Sequence, residues 1–298
     1  MNLSLVIPTL GRGQALLDTV EALSRLQPRP LELLLIDQTP RHDDGVDREL
    51  AALAAREEVR WIRLETPSIP GAMNRGLLEA RGDIVLFLDD DILPAENLLG
   101  GHLSAHGAGR GEIIAGQVLQ PGEEGEPLSG RSFAFRSTTA QEIETLMGGN
   151  FSIRRSIALQ LRGFDESFVQ VAYRFEADFA DRARRAGCRI WFEPGAGIRH
   201  LKLPRGGTRS FGHHLTTARP SHAVGEYYYL LRQRPPGFLG RFAARPWRAV
   251  ATRHHLARPW WIPATLCAEA LGMLWAVALG LRRPRLLPET RFVEERSR

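Results

Sequence analysis

The chain has 298 residues, 43% of them hydrophobic and 24% charged, with a formal net charge of +5. That length accommodates one large α/β domain plus an appendage, and the composition excludes wholesale disorder. The charge is uneven: residues 1–198 carry 21 Arg/Lys against 29 Asp/Glu, and residues 199–298 carry 18 against 5.

Residues 3–7, Leu-Ser-Leu-Val-Ile, read as a buried strand that Pro8 is expected to stop, and they lack the basic segment and cleavage site of a signal peptide. Leu16, Leu17, Val20, Leu23 and Leu26 recur at helical spacing. Residues 31–36 form a second apolar strand, ended by Asp37, and residues 46–55 read as a helix. A third strand is expected at 59–64, a helix behind a Pro-Gly turn at 71–80, and a fourth strand at 83–88, ending in Asp89-Asp90-Asp91. Wholly apolar strands alternating with helices imply an α/β fold, with a mostly parallel central sheet flanked by helices. Ligands of such sheets sit at the carboxyl ends of the strands, where Thr9, Asp37 and the three aspartates fall.

Further along, residues 121–130 read as a Gly/Glu/Pro-rich loop, 178–186 as a charged helix closed by Gly187, and 189–192 as a strand ended by Pro194. Residues 204–220, rich in Gly, Arg, His and Thr, read as a mobile loop. Residues 259–281 are mostly apolar, with Trp260, Trp261 and Trp275 and flanking arginines. Their length approaches a membrane span, but Glu269 and two prolines favour a helix lying on or dipping into a membrane over one that crosses it. Two cysteines, Cys188 and Cys267, are too few for a disulfide framework and fit a reducing compartment.

The aspartate triplet is the central chemical signal. Adjacent carboxylates repel one another, and a divalent cation with a preference for oxygen ligands, Mn²⁺ or Mg²⁺, relieves that repulsion. The bland alternative is a solvated acidic turn. Asp37 suits either a nucleoside acceptor or a turn cap. Glu176 and Asp178 suit either a general base for an acceptor hydroxyl or a helix N-terminus complementing its dipole. His200 suits a metal shell or an ordinary surface position. Arg205, Arg209, His213 and His214 lie in a loop that either closes over a diphosphate or simply stays solvated. Gly11-Arg12-Gly13 offers only a weak dinucleotide fingerprint, because Leu16 stands where a third glycine belongs.

Read in order, the segments resemble the family-2 glycosyltransferases of GT-A fold. The matching pieces are Val6-Ile7-Pro8-Thr9, Leu35-Ile36-Asp37, Ala72-Met73-Asn74-Arg75-Gly76, the strand from Gly82 into Asp89-Asp90-Asp91, Gly148-Gly149-Asn150 with Gly163-Phe164-Asp165-Glu166, Phe175-Glu176-Ala177-Asp178, and Pro194 with His200. The resemblance covers roughly residues 3–200. It implies an inverting transfer from a nucleoside-diphosphate sugar to an acceptor alcohol, a lipid-linked one among the options, with Asp91 and His200 at a divalent metal. It implies Glu176 as base, with Asp178 as second choice. Pro8, Thr9, Arg12, Asp37, Asn74, Arg75, Asp89, Asp90, Arg205 and Arg209 form the expected donor-binding set. Two departures stand out: Phe175-Glu176 where the family has Glu-Asp, and Met73 where it has Arg. No Gln-x-x-Arg-Trp motif is present, which favours single transfer.

The expected organisation is a nucleotide-sugar half at 1–100, an acceptor and base half of the same domain at 101–200, a basic lid or arm at 201–258, and an apolar, membrane-associated helix and tail at 259–298. A cytoplasmic location, including the cytoplasmic membrane face, is expected, and nucleic acid is not an expected partner because no stacking pattern accompanies the basic segments. Two competing readings are a non-catalytic nucleotide-binding or scaffold protein and, from the glycine turn with Asp37, an NAD-dependent oxidoreductase.

Overall fold

The computed structural model describes residues 1–127 and 133–289. Part of the expected 121–130 loop and the end of the expected tail therefore lie outside the described residues. The first half alternates β1 (Leu3–Thr9), α1 (Gln14–Ser24), β2 (Glu32–Asp37), α2 (Asp44–Ala55), β3 (Arg60–Arg63), α3 (Ile69–Glu79) and β4 (Ile84–Leu88). There follow β5 (Ile92–Pro94), α4 (Leu98–Gly107), β6 (Ile113–Leu119), β7 (Gln141–Ile143), β8 (Asn150–Arg154), α5 (Arg155–Gln160), α6 (Phe175–Arg185) and β9 (Ile190–His200). The chain then becomes helical: α7 (Ala223–Gln233), α8 (Phe238–Val250), α9 (Arg253–Ala257) and α10 (Ile262–Gly280).

The strands form one nine-stranded sheet in the order β3-β2-β1-β4-β8-β6-β9-β5, with β7 also on β9. β1 to β4 are mutually parallel; β8, β5 and β7 run against their neighbours. Alternation along each strand sends side chains to two separate cores. Val6, Leu34, Ile36, Val85 and Phe87 meet α3, α5, α6 and α7 on one face. Leu5, Ile7, Leu33, Leu35 and Leu86 meet α1, α2 and α4 on the other.

β1 runs through Pro8 to Thr9 instead of stopping at Ile7. The Thr9 carbonyl accepts from the Gln38 amide on the β2 side, so the N–H missing at Pro8 would point toward β4. Pairing with β4 has already ended at Val6, and no ladder bond is lost. α3 packs onto β1 through Gly76, where a Cβ would lie 2.2 Å from Val6 Cγ1. Two further differences concern the second half. β9 extends to His200 across Pro194, with an irregular register against β6. Within residues 201–258, expected as a basic lid or arm, α7 packs into the core: Tyr227 and Tyr228 are fully buried and Tyr228 Oη donates to Asp165 at 2.7 Å.

Candidate active site

β1 and β4 are neighbours, so their carboxyl ends bring Thr9 beside the loop that follows Leu88. A cavity of about 280 Å³ opens there. Its walls include Pro8, Thr9, Arg12, Gln38, Asp89, Asp90, Asp91, Gly148, Gly149, Glu176, His200 and Arg209.

The three aspartates have three different environments. Asp90 is buried and accepts from Thr9 Oγ1 at 2.7 Å and Arg12 Nε at 3.0 Å. Burial outweighs those partners and pushes its carboxyl up to about 6. Asp91 is also buried; its Oδ2 meets Arg12 Nη2 at 3.0 Å and the Leu203 amide at 3.0 Å, while its Oδ1 lies 3.1 Å from His200 Nε2. Burial opposes charging, but His200, Leu203 and Arg12 together hold its carboxyl below the ordinary value. Asp89 keeps 44% of its side chain exposed and lies 3.9 Å from His200 Nε2. Desolvation raises its pKa against the pull of His200.

His200 stands at the end of β9. Its Nδ1 donates to Gln120 Oε1 at 3.2 Å, leaving Nε2 toward the aspartates. Burial disfavours the imidazolium, yet Asp91 and Asp89 raise its pKa overall. A divalent cation held by Asp91 and His200 would replace the proton they share. The donor set fits such an ion: a hard carboxylate oxygen, an imidazole oriented by a second partner, and Asp89 beside them. Among the described residues no three His, Cys, Asp or Glu side chains are already arranged as a metal cage. The protein thus offers a partial set, which suits a cation shared with a phosphate-bearing ligand. The aspartates offset much of the positive charge that Arg12, Arg209 and His200 bring to the walls, and an added cation would favour entry of an anionic ligand.

Glu176 sits in the first turn of α6. A packed cluster of Phe164, Phe175 and Phe179 on Phe87 and Phe151 fixes that turn, with ring centroids 4.5–6.2 Å apart. Burial, with the nearby Asp89 charge, pushes its carboxyl up to about 7, against the Glu176 and Gly148 amides. Asp178 is two residues further on, about 200° around a helix. It faces the core, pairs with Arg182 at 2.9 Å and takes a hydrogen bond from Gln233. The second choice for a base is therefore corrected to a structural ion pair.

Several other expected contacts lie off the cavity or are engaged within the protein. Asp37 is fully buried and its oxygens are taken by the Thr39 amide (2.9 Å), His42 (2.8 Å) and Trp61 Nε1 (2.9 Å); Gln38 lines the cavity instead. Asn74 clamps the 163–166 turn, accepting from the Phe164 amide at 2.8 Å and donating to Glu166 at 2.9 Å. Arg75 lies on the outer side of α3, 3.0 Å from Glu79. Arg12 is buried against Asp90 and Asp91 and donates to the Arg205 carbonyl, so it is no free diphosphate clamp. Arg205 contributes that carbonyl while its side chain is exposed. Arg209 reaches the wall, 3.9 Å from Asp91 Oδ2. The Gly11 turn serves chain packing: the Gly207 amide bonds the Leu10 carbonyl at 2.7 Å, and a Cβ on Gly206 would meet the Gly11 carbonyl at 2.7 Å. Gln120, Met147, Gln170 and Phe211 line the cavity without any sequence signal that singled them out.

Residues 4–178 match the family model described as Glycosyl transferase family 2. Over 118 residues the chain is 27% identical to the uncharacterized glycosyltransferase YfnE of Bacillus subtilis (strain 168), covering 39% of this chain and 30% of that protein. The chain thus spans less than a third of the length of that curated relative. Among solved structures it is similar to GalNAc-T7 with UDP, GalNAc and Mn²⁺, at a TM-score of 0.58 and 18% identity, covering 78% of this chain and 50% of that one. It is also similar to residues 1–349 of S. aureus TarS in complex with UDP-GlcNAc, at a TM-score of 0.59 and 16% identity, covering 94% and 88%. At these identities the likeness speaks for the fold.

Proposed function

The chain belongs to glycosyl transferase family 2 and has the GT-A fold, and from that premise we propose that it transfers a sugar, with inversion, from a nucleoside-diphosphate sugar to an acceptor hydroxyl. The observation that carries this reading is the convergence of Asp89, the Asp91–His200 pair and Glu176 on one cavity at the carboxyl ends of β1 and β4.

In this reading the donor diphosphate lies toward Asp89, Asp91, His200 and Arg209. Mn²⁺ or Mg²⁺ held by Asp91 and His200, with Asp89 adjoining, would supply charge neutralisation for the departing diphosphate. Arg12 holds Asp90 and Asp91 in place. Glu176 accepts the proton of the acceptor hydroxyl as that oxygen bonds to the anomeric carbon. The bond from the anomeric carbon to the diphosphate oxygen breaks, its electron pair leaves with the nucleotide, and a single displacement inverts the centre. A carboxyl with a pKa of about 7 suits a base that must gain a proton near neutral pH. Two similar structures contain UDP or a UDP-sugar, so uridine-based donors are the first to try. The acceptor class we favour is a cell-surface glycan, glycolipid or secondary-metabolite hydroxyl.

The test is donor turnover with the Glu176→Gln variant. Retained nucleotide binding with lost transfer supports the base assignment. Full transfer by the variant removes Glu176 from the role. Nucleotide binding by a folded wild-type protein that turns over no donor with any acceptor would favour the non-catalytic reading.

A further inference from the structure

α10 is apolar apart from Thr265 and Glu269, yet only one side of it is covered. Thr265, Ala268, Glu269, Gly272 and Ala276 are buried. Gly272 lets α7 come close, since a Cβ there would lie 2.5 Å from Ala223 Cβ. The opposite side is exposed and holds no charge or hydrogen-bonding group beyond the Cys267 thiol: Leu266, Ala270, Leu271, Leu274, Val277 and Leu281 follow one another at helical spacing. A soluble surface helix places polar side chains on such a face. Leu274 is 64% exposed and Leu281 86% exposed. The neighbouring helical segments add the exposed Leu239, Trp247, Leu256 and Trp260.

The charges around this face have one sign. Residues 236–283 contain seven arginines and one acid, Glu269. That acid is buried and paired with Arg245 at 3.1 Å. The remaining Arg241, Arg248, Arg253, Arg258, Arg282 and Arg283 are exposed. Beside Thr265 and Glu269 lies a basic groove that includes His214, Arg219, His222 and Arg248.

We propose that the outer face of α10, with the exposed apolar residues of α8 and α9, seats the protein in the plane of a lipid bilayer bearing anionic headgroups. The exposed leucines enter the acyl boundary, the tryptophans take the interface, and the arginines meet the headgroup phosphates. The buried Arg245–Glu269 pair on the inner side of α10 argues against a membrane-spanning helix, which would turn that pair toward lipid. Charge argues against a second copy of the chain. A two-fold interface sets each patch on its own image, which would place arginines near arginines with no exposed acid from this region to meet them. An anionic surface, such as a cytoplasmic leaflet, provides the missing counter-charge. This seating is independent of the sugar-transfer reading.

The experiment is co-sedimentation of the full chain with vesicles of phosphatidylcholine alone and of phosphatidylcholine mixed with phosphatidylglycerol. The wild type and the Leu271→Glu/Leu274→Glu variant are compared, with circular dichroism, melting and light scattering on both. Both leucines are exposed, so the fold should survive the change. The expected result is retention on the anionic vesicles that weakens with salt, far less retention on the neutral ones, and at least roughly a tenfold loss of partitioning in the variant. Arg282→Ser/Arg283→Ser should lower retention on anionic vesicles alone. No retention on anionic vesicles, or retention untouched by the leucine changes, overturns the proposal. A stable dimer that the leucine variant dissociates, without vesicle binding, would assign the face to a second copy. Retention that resists an alkaline wash would indicate a spanning helix.

Discussion

Gly149 offers a sharp test of how the cavity holds its carboxylates. A Cβ built on it would lie 2.1 Å from Asp89 Oδ2 and 2.6 Å from Asp89 Cγ. Non-bonded carbon and oxygen need about 3.2 Å or more, so in Gly149→Ala the carboxylate must retreat by about 1 Å. The backbone at Gly149 has no left-handed φ, so alanine adds no strain there. Asp89 is partly exposed and free to swing outward, so the stability loss should stay within about 1 kcal/mol. A misplacement of about 1 Å at a reacting site is worth about 10²-fold, or roughly 2.7 kcal/mol in kcat/KM. Gly148→Ala is the built-in comparison: its Cβ would lie 3.0 Å from Glu176 Oε1, a contact that a few tenths of an ångström relieve. It should lose only severalfold. The assay is nucleotide release from the donor, alongside thermal melting of each variant. A folded Gly149→Ala with wild-type kcat/KM, or the reverse order of the two variants, would show that the placement of Asp89 does not govern turnover.

Further expectations follow from the same geometry. Glu176→Gln should lower kcat by about 10²- to 10⁴-fold with little change in donor affinity, measured by turnover and calorimetry. The Glu176 carboxyl, at about 7, must be ionised to act, so kcat/KM should rise about tenfold from pH 6 to pH 8; a flat profile would count against it as base. Asp178→Ala should cost about 3 kcal/mol, because it leaves Arg182 without its carboxylate partner, while the turnover of folded molecules is kept. For Asp37, burial alone would raise the carboxyl, but the Thr39 amide, His42 and Trp61 hold it below its ordinary 3.8. Its folded-state pKa is thus lower than its unfolded one, so its stabilisation is present above about 3.8 and is lost as pH falls through the lower folded value. Asp37→Asn should flatten that part of an acid-denaturation curve.

The first four strands were legible because each is a short, mostly apolar or β-branched and aromatic stretch between helical patterns, and the cavity opens at the carboxyl ends of β1 and β4. β5 and β7 were not, since three residues make no pattern and their partners lie about a hundred and about fifty residues away in the chain. β9 crosses Pro194, which was expected to end it; pairing with β6 and β5 keeps it extended. The site residues divide along a similar line. Asp89, Asp91, His200 and Glu176 were marked by position after strands or at a helix start. The ion pairs of Arg12 with Asp90 and Asp91, and the Trp61 bond to Asp37, were not legible because those partners become neighbours only through the sheet, while the His42 bond to Asp37 forms within the loop after β2. Asp178 was avoidable, because helical periodicity already turns it away from Glu176.

Asp89, Asp91 and His200 are proposed to form a metal-assisted site for a nucleoside diphosphate. Thermal melting of the wild type and Asp91→Asn with UDP, and then other nucleoside diphosphates, with and without Mn²⁺, tests it most directly. The expected result is a Mn²⁺-dependent stabilisation with one diphosphate, about 2.7 kcal/mol at 100 times its Kd, which Asp91→Asn abolishes. A well-folded wild type that no diphosphate stabilises with either Mn²⁺ or Mg²⁺, or a shift that Asp91→Asn leaves intact, would contradict it.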